Sequence, residues 1–343
     1  MKTFSTLFMG VLLGALSLHG LAQNESDVLR YGWIDPLHSA RVTAMGGSFG
    51  ALGADLSCLG INPAGLGLYR RGDLSVNAGI HSGSTEARWR NRKVDAAGSA
   101  VVGSNIGVAL TYPSIDADWP FFTLAVAHQN RSPFDQSINI DGVPADLSVS
   151  DVFVAQALDD AATYGFLSTD SALGDGIIFP FGASLAWRAG LLQPDNATGY
   201  ATLAGDNVLV DRTIDRTGRM AETQIGFGTM YQDRISFGLT LGIPKVEYEE
   251  TSKHTEEVNA VSPTLQRWEY NESLRITGRG YLLRFGVLAR VSESLRVGLA
   301  YQTRSRLTLT DTYSTDIETT WLDDSQFRAI SPTSNAEYLV YIP

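Results

Sequence analysis

The sequence predicts an all-β chain, a β-barrel of antiparallel strands set in a membrane, and three observations lead there. Long stretches alternate apolar and polar residues with a period of two, which puts one set of side chains on each face of a strand. The mean hydropathy is −0.03 and charged residues make up 18%, below the roughly 25% usual for soluble chains. The links between the alternating stretches are short on one side and long and polar on the other, the asymmetry of barrels with tight turns at one end and loops at the other.

The composition excludes several alternatives. Lys and Arg number 26 against 37 Asp and Glu, a net charge of −11, so the chain lacks the basic balance of a nucleic-acid binder. A single cysteine, Cys58, allows neither an internal disulfide nor a Cys-rich metal site. No apolar run inside the chain is long enough for a spanning helix of ~20 residues.

Residues 1–22 read as a cleaved signal peptide. Lys2 precedes an apolar stretch from Leu7 to Leu18, and Gly20-Leu21-Ala22 is a small-x-small cleavage site. Residues 38–70 are rich in Gly and Ala without a sustained period. Gly46, Gly47 and Gly50 do not make a phosphate loop, because no GK[ST] follows, and a close-packed plug is the better reading. From Leu74 the period becomes two, with further strands at Ile106–Tyr112 and Phe121–His128. Residues 144–192 break it. Asp146, Ser148, Ser150 and Asp151 offer N-caps to VFVAQALDDAATYGF, and Phe181–Leu192 also has helical spacing.

The clearest alternation runs from Arg219 to Thr310. Ala221, Thr223, Ile225, Phe227 and Tyr231 share one face, and Glu222, Gln224, Gly226 and Gly228 the other. The same division holds for Ile235–Ile243, Tyr281–Ala289 and Leu295–Tyr301. Five alternate apolar positions suit the 9–11 residues of a tilted membrane strand. A soluble β-sandwich, with its apolar faces inward, is the alternative. Arg and Gly on the polar faces, and Tyr231 and Tyr301 on the apolar ones, favour the barrel. At Pro244 and again at Gly278–Gly280 the apolar set changes parity. Each slip marks a bulge, or the level at which a strand leaves the membrane.

The segment MGGSFGALGADLSCLGINPAGLGLYRRGDLSV, with Asn62-Pro63-Ala64-Gly65 at its centre, resembles the N-terminal hatch of the FadL/TodX family of outer-membrane transporters in its Bacteroidetes form. SLAWRAGLLQPD at 184–195, YQDRISFGLTLGIPKVEYEE at 231–250 and LRVGLAYQTRSRLTLTD at 295–311 extend the resemblance along the chain. It implies a barrel of fourteen strands in the outer membrane, plugged by a hatch over residues 23–72. It implies passive passage of hydrophobic compounds, long-chain fatty acids or aromatic hydrocarbons, captured in an outer groove and released through the wall. Residues 73–343 would then form a partial barrel of about eight strands, the eighth beginning near Glu337, and 144–192 a helical extracellular excursion. The chain is expected to lack roughly six strands, about 150 residues. Expected partners are hydrophobic small molecules, outer-membrane lipid and the outer-membrane assembly machinery.

No enzyme is expected. The five histidines show no paired spacing, no G-x-S-x-G elbow is present, and neither metal nor cofactor is called for. Phe49, Leu59, Ile61 and Leu66 in the hatch, with Phe153 and Leu158 in the excursion, are candidates for an apolar ligand pocket. Arg284 and Arg296 could receive a ligand carboxylate, or pair with acids of the wall or hatch. A second function on the same fold is a docking component of type IX secretion, which related Bacteroidetes barrels serve.

Overall fold

The computed structural model describes residues 25–32, 39–89, 92–195, 199–258 and 264–342. The expected signal peptide lies outside the described residues. Thirteen strands follow in chain order: β1 (Asp73–Trp89), β2 (Arg92–Pro113), β3 (Phe121–Pro133), β4 (Gln136–Ala145), β5 (Leu192–Asp195), β6 (Gly199–Thr202), β7 (Val208–Tyr231), β8 (Ile235–Glu257), β9 (Leu265–Arg290), β10 (Arg296–Gln302), β11 (Ser305–Trp321), β12 (Gln326–Ile330) and β13 (Ser334–Ile342). Strands β5 and β6 form a separate hairpin, and the other eleven join in one antiparallel sheet. β3 and β4 both pair with β7, β10 and β11 with β9, and β12 and β13 with β11. The sheet is therefore a meander of eight passes, three of them broken once. The eighth begins at Gln326, earlier than Glu337, because the chain turns back at Asp323–Ser325 to pair with β11.

The framework is all-β and antiparallel, as the alternation predicts, but the sheet is not closed. Among the described residues β1 pairs only with β2 and β13 only with β11. A ring of about eight strands has an interior just wide enough for side chains. Here residues 39–72, a whole backbone segment, lie against one face, and a ring of that size has no room for them.

That segment and the preceding residues contain α1 (Glu25–Gly32), α2 (Ala40–Ala44), α3 (Cys58–Ile61) and a 3-10 helix, Pro63–Leu68. Ser39 caps α2, its Oγ accepting from Val42 N at 3.3 Å and donating to Asp55 at 2.7 Å. The excursion between β4 and β7 carries α4 (Ser150–Tyr164), α5 (Phe166–Gly174) and α6 (Ala183–Arg188), then β5 and β6. It runs on to residue 207, beyond the expected 192. Phe153, Ala157 and Ala161 recur every fourth residue on α4 and are buried against Leu265, Trp268 and Ile317 of the sheet, one stripe of an amphipathic helix. No helix among the described residues is long and apolar enough to cross a membrane.

The register aligns the apolar positions of seven strands. Val76 stands beside Ile106, and Val108 and Leu110 beside Val126 and Leu124. Leu124 and Val126 lie beside Phe227 and Ile225, and these beside Leu239 and Leu241. Leu239 and Leu241 face Phe285 and Leu283, and Phe285 faces Tyr301 on β10. All are exposed, Leu239 at 41% and Leu299 at 74%. Such a row exceeds the patch of about 300–600 Å² that a soluble monomer leaves bare.

Above this belt the sheet inverts. Lys245, Glu247 and Glu249 continue the outward row of β8, while Val246 and Tyr248 are buried with Met220, Ile276, Leu307, Leu309, Val340 and Ile342. The pairing of β7 with β8 runs unshifted through Glu222–Pro244, and β8 with β9 holds one register on both sides of the same level. Neither sequence slip is a bulge. Both mark one level, for Pro244 and Gly280 fall opposite each other in that register. Between β10 and β11 the opposite happens. The apolar residues stay odd, but the register to β9 shifts by one, from Gln302–Arg284 to Arg306–Tyr281. Tyr301 is exposed and Leu307 buried, so here a break in the strand inverts the faces.

Candidate functional site

The inner face of the belt is a seat for the N-terminal segment. Gly228, Gly238 and Gly286 are neighbours on one rung across β7, β8 and β9. A Cβ at Gly238 would collide with the Pro63 carbonyl, at Gly286 with the Asn62 side chain, and at Gly228 with Leu66. Only glycine admits a second backbone this close. Asn62 Oδ1 accepts from Ala64 N at 3.1 Å, capping the 3-10 helix, and its Nδ2 donates to Gly50 O at 2.7 Å. Ser236 Oγ donates to Ala64 O. Gly65 is buried against Cys58 and Gly53. Asn62, Pro63 and Ala64 thus meet the sheet, while Gly65 lets the segment fold closely on itself.

One step above the seat lies a buried charge network. Glu222 accepts two bonds from the Arg284 guanidinium, the longer at 3.0 Å, and one from Gln224 Nε2 at 3.0 Å. Arg131 Nε lies 3.5 Å from Glu222, and Arg284 Nε donates to Gln302 at 2.8 Å. Gln129 Nε2 donates to Leu56 O at 3.2 Å, tying this level to the segment. Glu222, Arg131 and Arg284 are all at most 5% exposed.

The polar stretches 249–267 and 311–335, expected as long loops, are mostly strand, β8 running to Glu257 and β11 to Trp321, so the helical excursion alone makes this end long. There Glu256 anchors the excursion. Fully buried, it accepts from Ser148 Oγ at 2.5 Å, Val149 N at 2.8 Å, His254 Nε2 at 2.9 Å and Trp268 Nε1 at 3.0 Å. Beyond it a cavity of about 710 Å³ opens between α6 and the β11–β12 turn, walled by Trp187, Trp321 and Phe327, with Arg188 and Asp323 at its polar edge. Its size is that of a small-molecule site, typically ~300–1,000 Å³.

No family model, curated protein or solved structure matches this chain.

The geometry separates the residues singled out from the sequence. Phe49, Leu59 and Leu66 are fully buried in one core with Val42, Leu56 and Cys58, and Ile61 packs against it. None of the four lines a described cavity. Phe153 is buried in the core under α4 and Leu158 packs on it; neither borders the aromatic cavity. Arg284 is neutralised by Glu222, the wall pairing left open by the sequence. Arg296 is exposed and stands opposite Arg290. Trp187, Trp321, Phe327, Glu222 and Arg131 were missed as site residues. Glu222 is an inward charge in a strand of Gly and Gln, a signal the alternation contains. The cavity residues come together only through the excursion, which periodicity does not place.

Proposed function

We propose that this chain is the wall and plug of an outer-membrane barrel through which hydrophobic compounds, long-chain fatty acids or aromatic hydrocarbons, pass without covalent chemistry. The observation that carries the reading is the exposed apolar belt of seven strands with a backbone segment seated on its inner face. A soluble sheet places its large apolar residues inward; below the Pro244 level this one carries a row of them outward. Lipid tolerates no unpaired strand edge, so β1 and β13 find partners in the complete barrel. The aromatic cavity is the capture site, at the end that the helical excursion makes external. Residues 39–72 fill the inner face at belt level, and solute moves on when that segment shifts from its glycine seat.

Uptake of labelled oleate and of a labelled monoaromatic, in cells with and without the intact gene, tests this. Loss of either uptake in the deletion strain, and a comparable fall in a Trp187→Ala/Trp321→Ala variant still present in the membrane, is expected. Unchanged uptake of both solutes in the deletion strain overturns the reading.

A further inference from the structure

A strip of cations lies immediately above the belt, and neither the seat, the buried network nor the cavity uses it. On β8 and β9 the outward residues after Ile243 and Tyr281 are Lys245 and Arg279, directly opposite each other. Arg219 on β7 stands opposite Glu247 and so diagonal to Lys245. Arg306 on β11 stands opposite Tyr281 and diagonal to Arg279. All four are exposed. Direct neighbours across a sheet are about 5 Å apart and diagonal ones about 7–8 Å, so the strip is continuous over four adjacent passes. Glu247, ion-paired with Lys245, is the acid that shares this outward level. Arg306 donates to the Tyr281 hydroxyl at 3.3 Å, and Arg279 has neither ion pair nor hydrogen bond among the described residues. Like charges opposed across a strand pair repel, and an anion between them reverses the sign.

Resting on the membrane reading above, we infer that this strip binds the phosphate of an anionic lipid headgroup in the leaflet on the side of the helical excursion. Charge complementarity and continuity with the belt select this partner. A lipid whose acyl chains lie on Leu239, Leu241, Ile243 and Tyr281 carries its headgroup to the level of Lys245 and Arg279. The opposed arginines Arg290 and Arg296 have the other parity and sit at the short-turn end, which makes them the control.

The whole protein, extracted from the membranes of the producing cell in mild detergent and moved to phosphatidylcholine nanodiscs, is titrated with lipid A, with phosphatidylglycerol and with inorganic phosphate, and bound lipid is counted by native mass spectrometry. Wild type is expected to retain both anionic lipids over phosphatidylcholine. An Arg219→Gln/Arg279→Gln/Arg306→Gln variant should lose affinity on the order of a hundredfold, about fivefold per basic residue near an anionic surface, while Arg290→Gln/Arg296→Gln binds as wild type does. Equal lipid retention by the triple variant, equal loss in the control, or binding of free phosphate as tight as that of lipid overturns the inference. Recovery of the protein only from the aqueous fraction overturns the membrane reading, and this one with it.

Discussion

Gly238 is the residue on which the seat most depends. Replacing it with Ala puts a methyl group into the Pro63 carbonyl, and overpacking of this kind costs about 1–3 kcal/mol. Gly238→Ala is therefore expected to lower the melting temperature and to open residues 39–72 to protease, whereas Gly83→Ala, with no atom nearby to meet, leaves both unchanged. The charge network predicts an asymmetry. Glu222→Gln leaves Arg131 and Arg284 buried without a carboxylate, a loss of about 3–5 kcal/mol. Arg284→Gln leaves Glu222 beside Arg131 and costs less. Thermal melting of the two variants checks the order; equal losses would show that Arg131 does not share the charge of Glu222.

The helical excursion has its own electrostatic signature. Burial, then the neighbouring Asp206, pushes the Asp151 carboxyl in α4 above the usual carboxylate range. The folded state thus holds this proton more tightly than the unfolded chain does, and stability falls as pH rises from near 4 through the raised value. Asp151→Asn is expected to raise the melting temperature at neutral pH and to flatten its dependence on pH over that window, measured by calorimetry. Among the elements, the faces of β7, β8 and β9 at belt level were legible because apolar and polar residues alternate there over about five pairs of positions. The meaning of the Pro244 and Gly278–Gly280 slips was not, since a bulge and a change of solvent leave the same trace in sequence. The shift between β10 and β11 was invisible for the converse reason: Val297 to Leu309 keeps one parity while the surroundings reverse. Helix α5, with few buried residues, presents too weak a stripe to read.

For the molecule as a whole, the belt is the testable feature. Cys58 is the only cysteine and is fully buried, so an engineered thiol reports alone. A polarity-sensitive fluorophore on Leu239→Cys is expected to emit as in hydrocarbon in reconstituted vesicles, and one on Glu249→Cys as in water. Both positions face outward on β8, so a shared aqueous emission would contradict the belt. The all-β, antiparallel framework was legible at this scale because long stretches of the chain alternate with a period of two. The open sheet agrees with the partial set of strands expected from the resemblance, whereas the breaks that split three passes were not legible, because the sequence shows strands and turns but not their pairing.

In the barrel proposed above, the inversion at Pro244 also gives the chain a direction of travel. The outer half of β8 displays Lys245, Glu247, Glu249 and Lys253, each about half exposed, and β9 adds Arg275 and Arg267. A barrel reaching its membrane from the side opposite its final excursion end must bring those groups through hydrocarbon before its belt finds lipid. A Lys or Arg on the lipid face at mid-bilayer costs about 2–4 kcal/mol, so the barrier rises with every rung of charged ladder. Entry is then slow into a thick, intact bilayer and fast where the bilayer is thinned or held open. In the proposed barrel the same ladder, once across, opposes withdrawal, and kinetics as much as affinity holds the chain there.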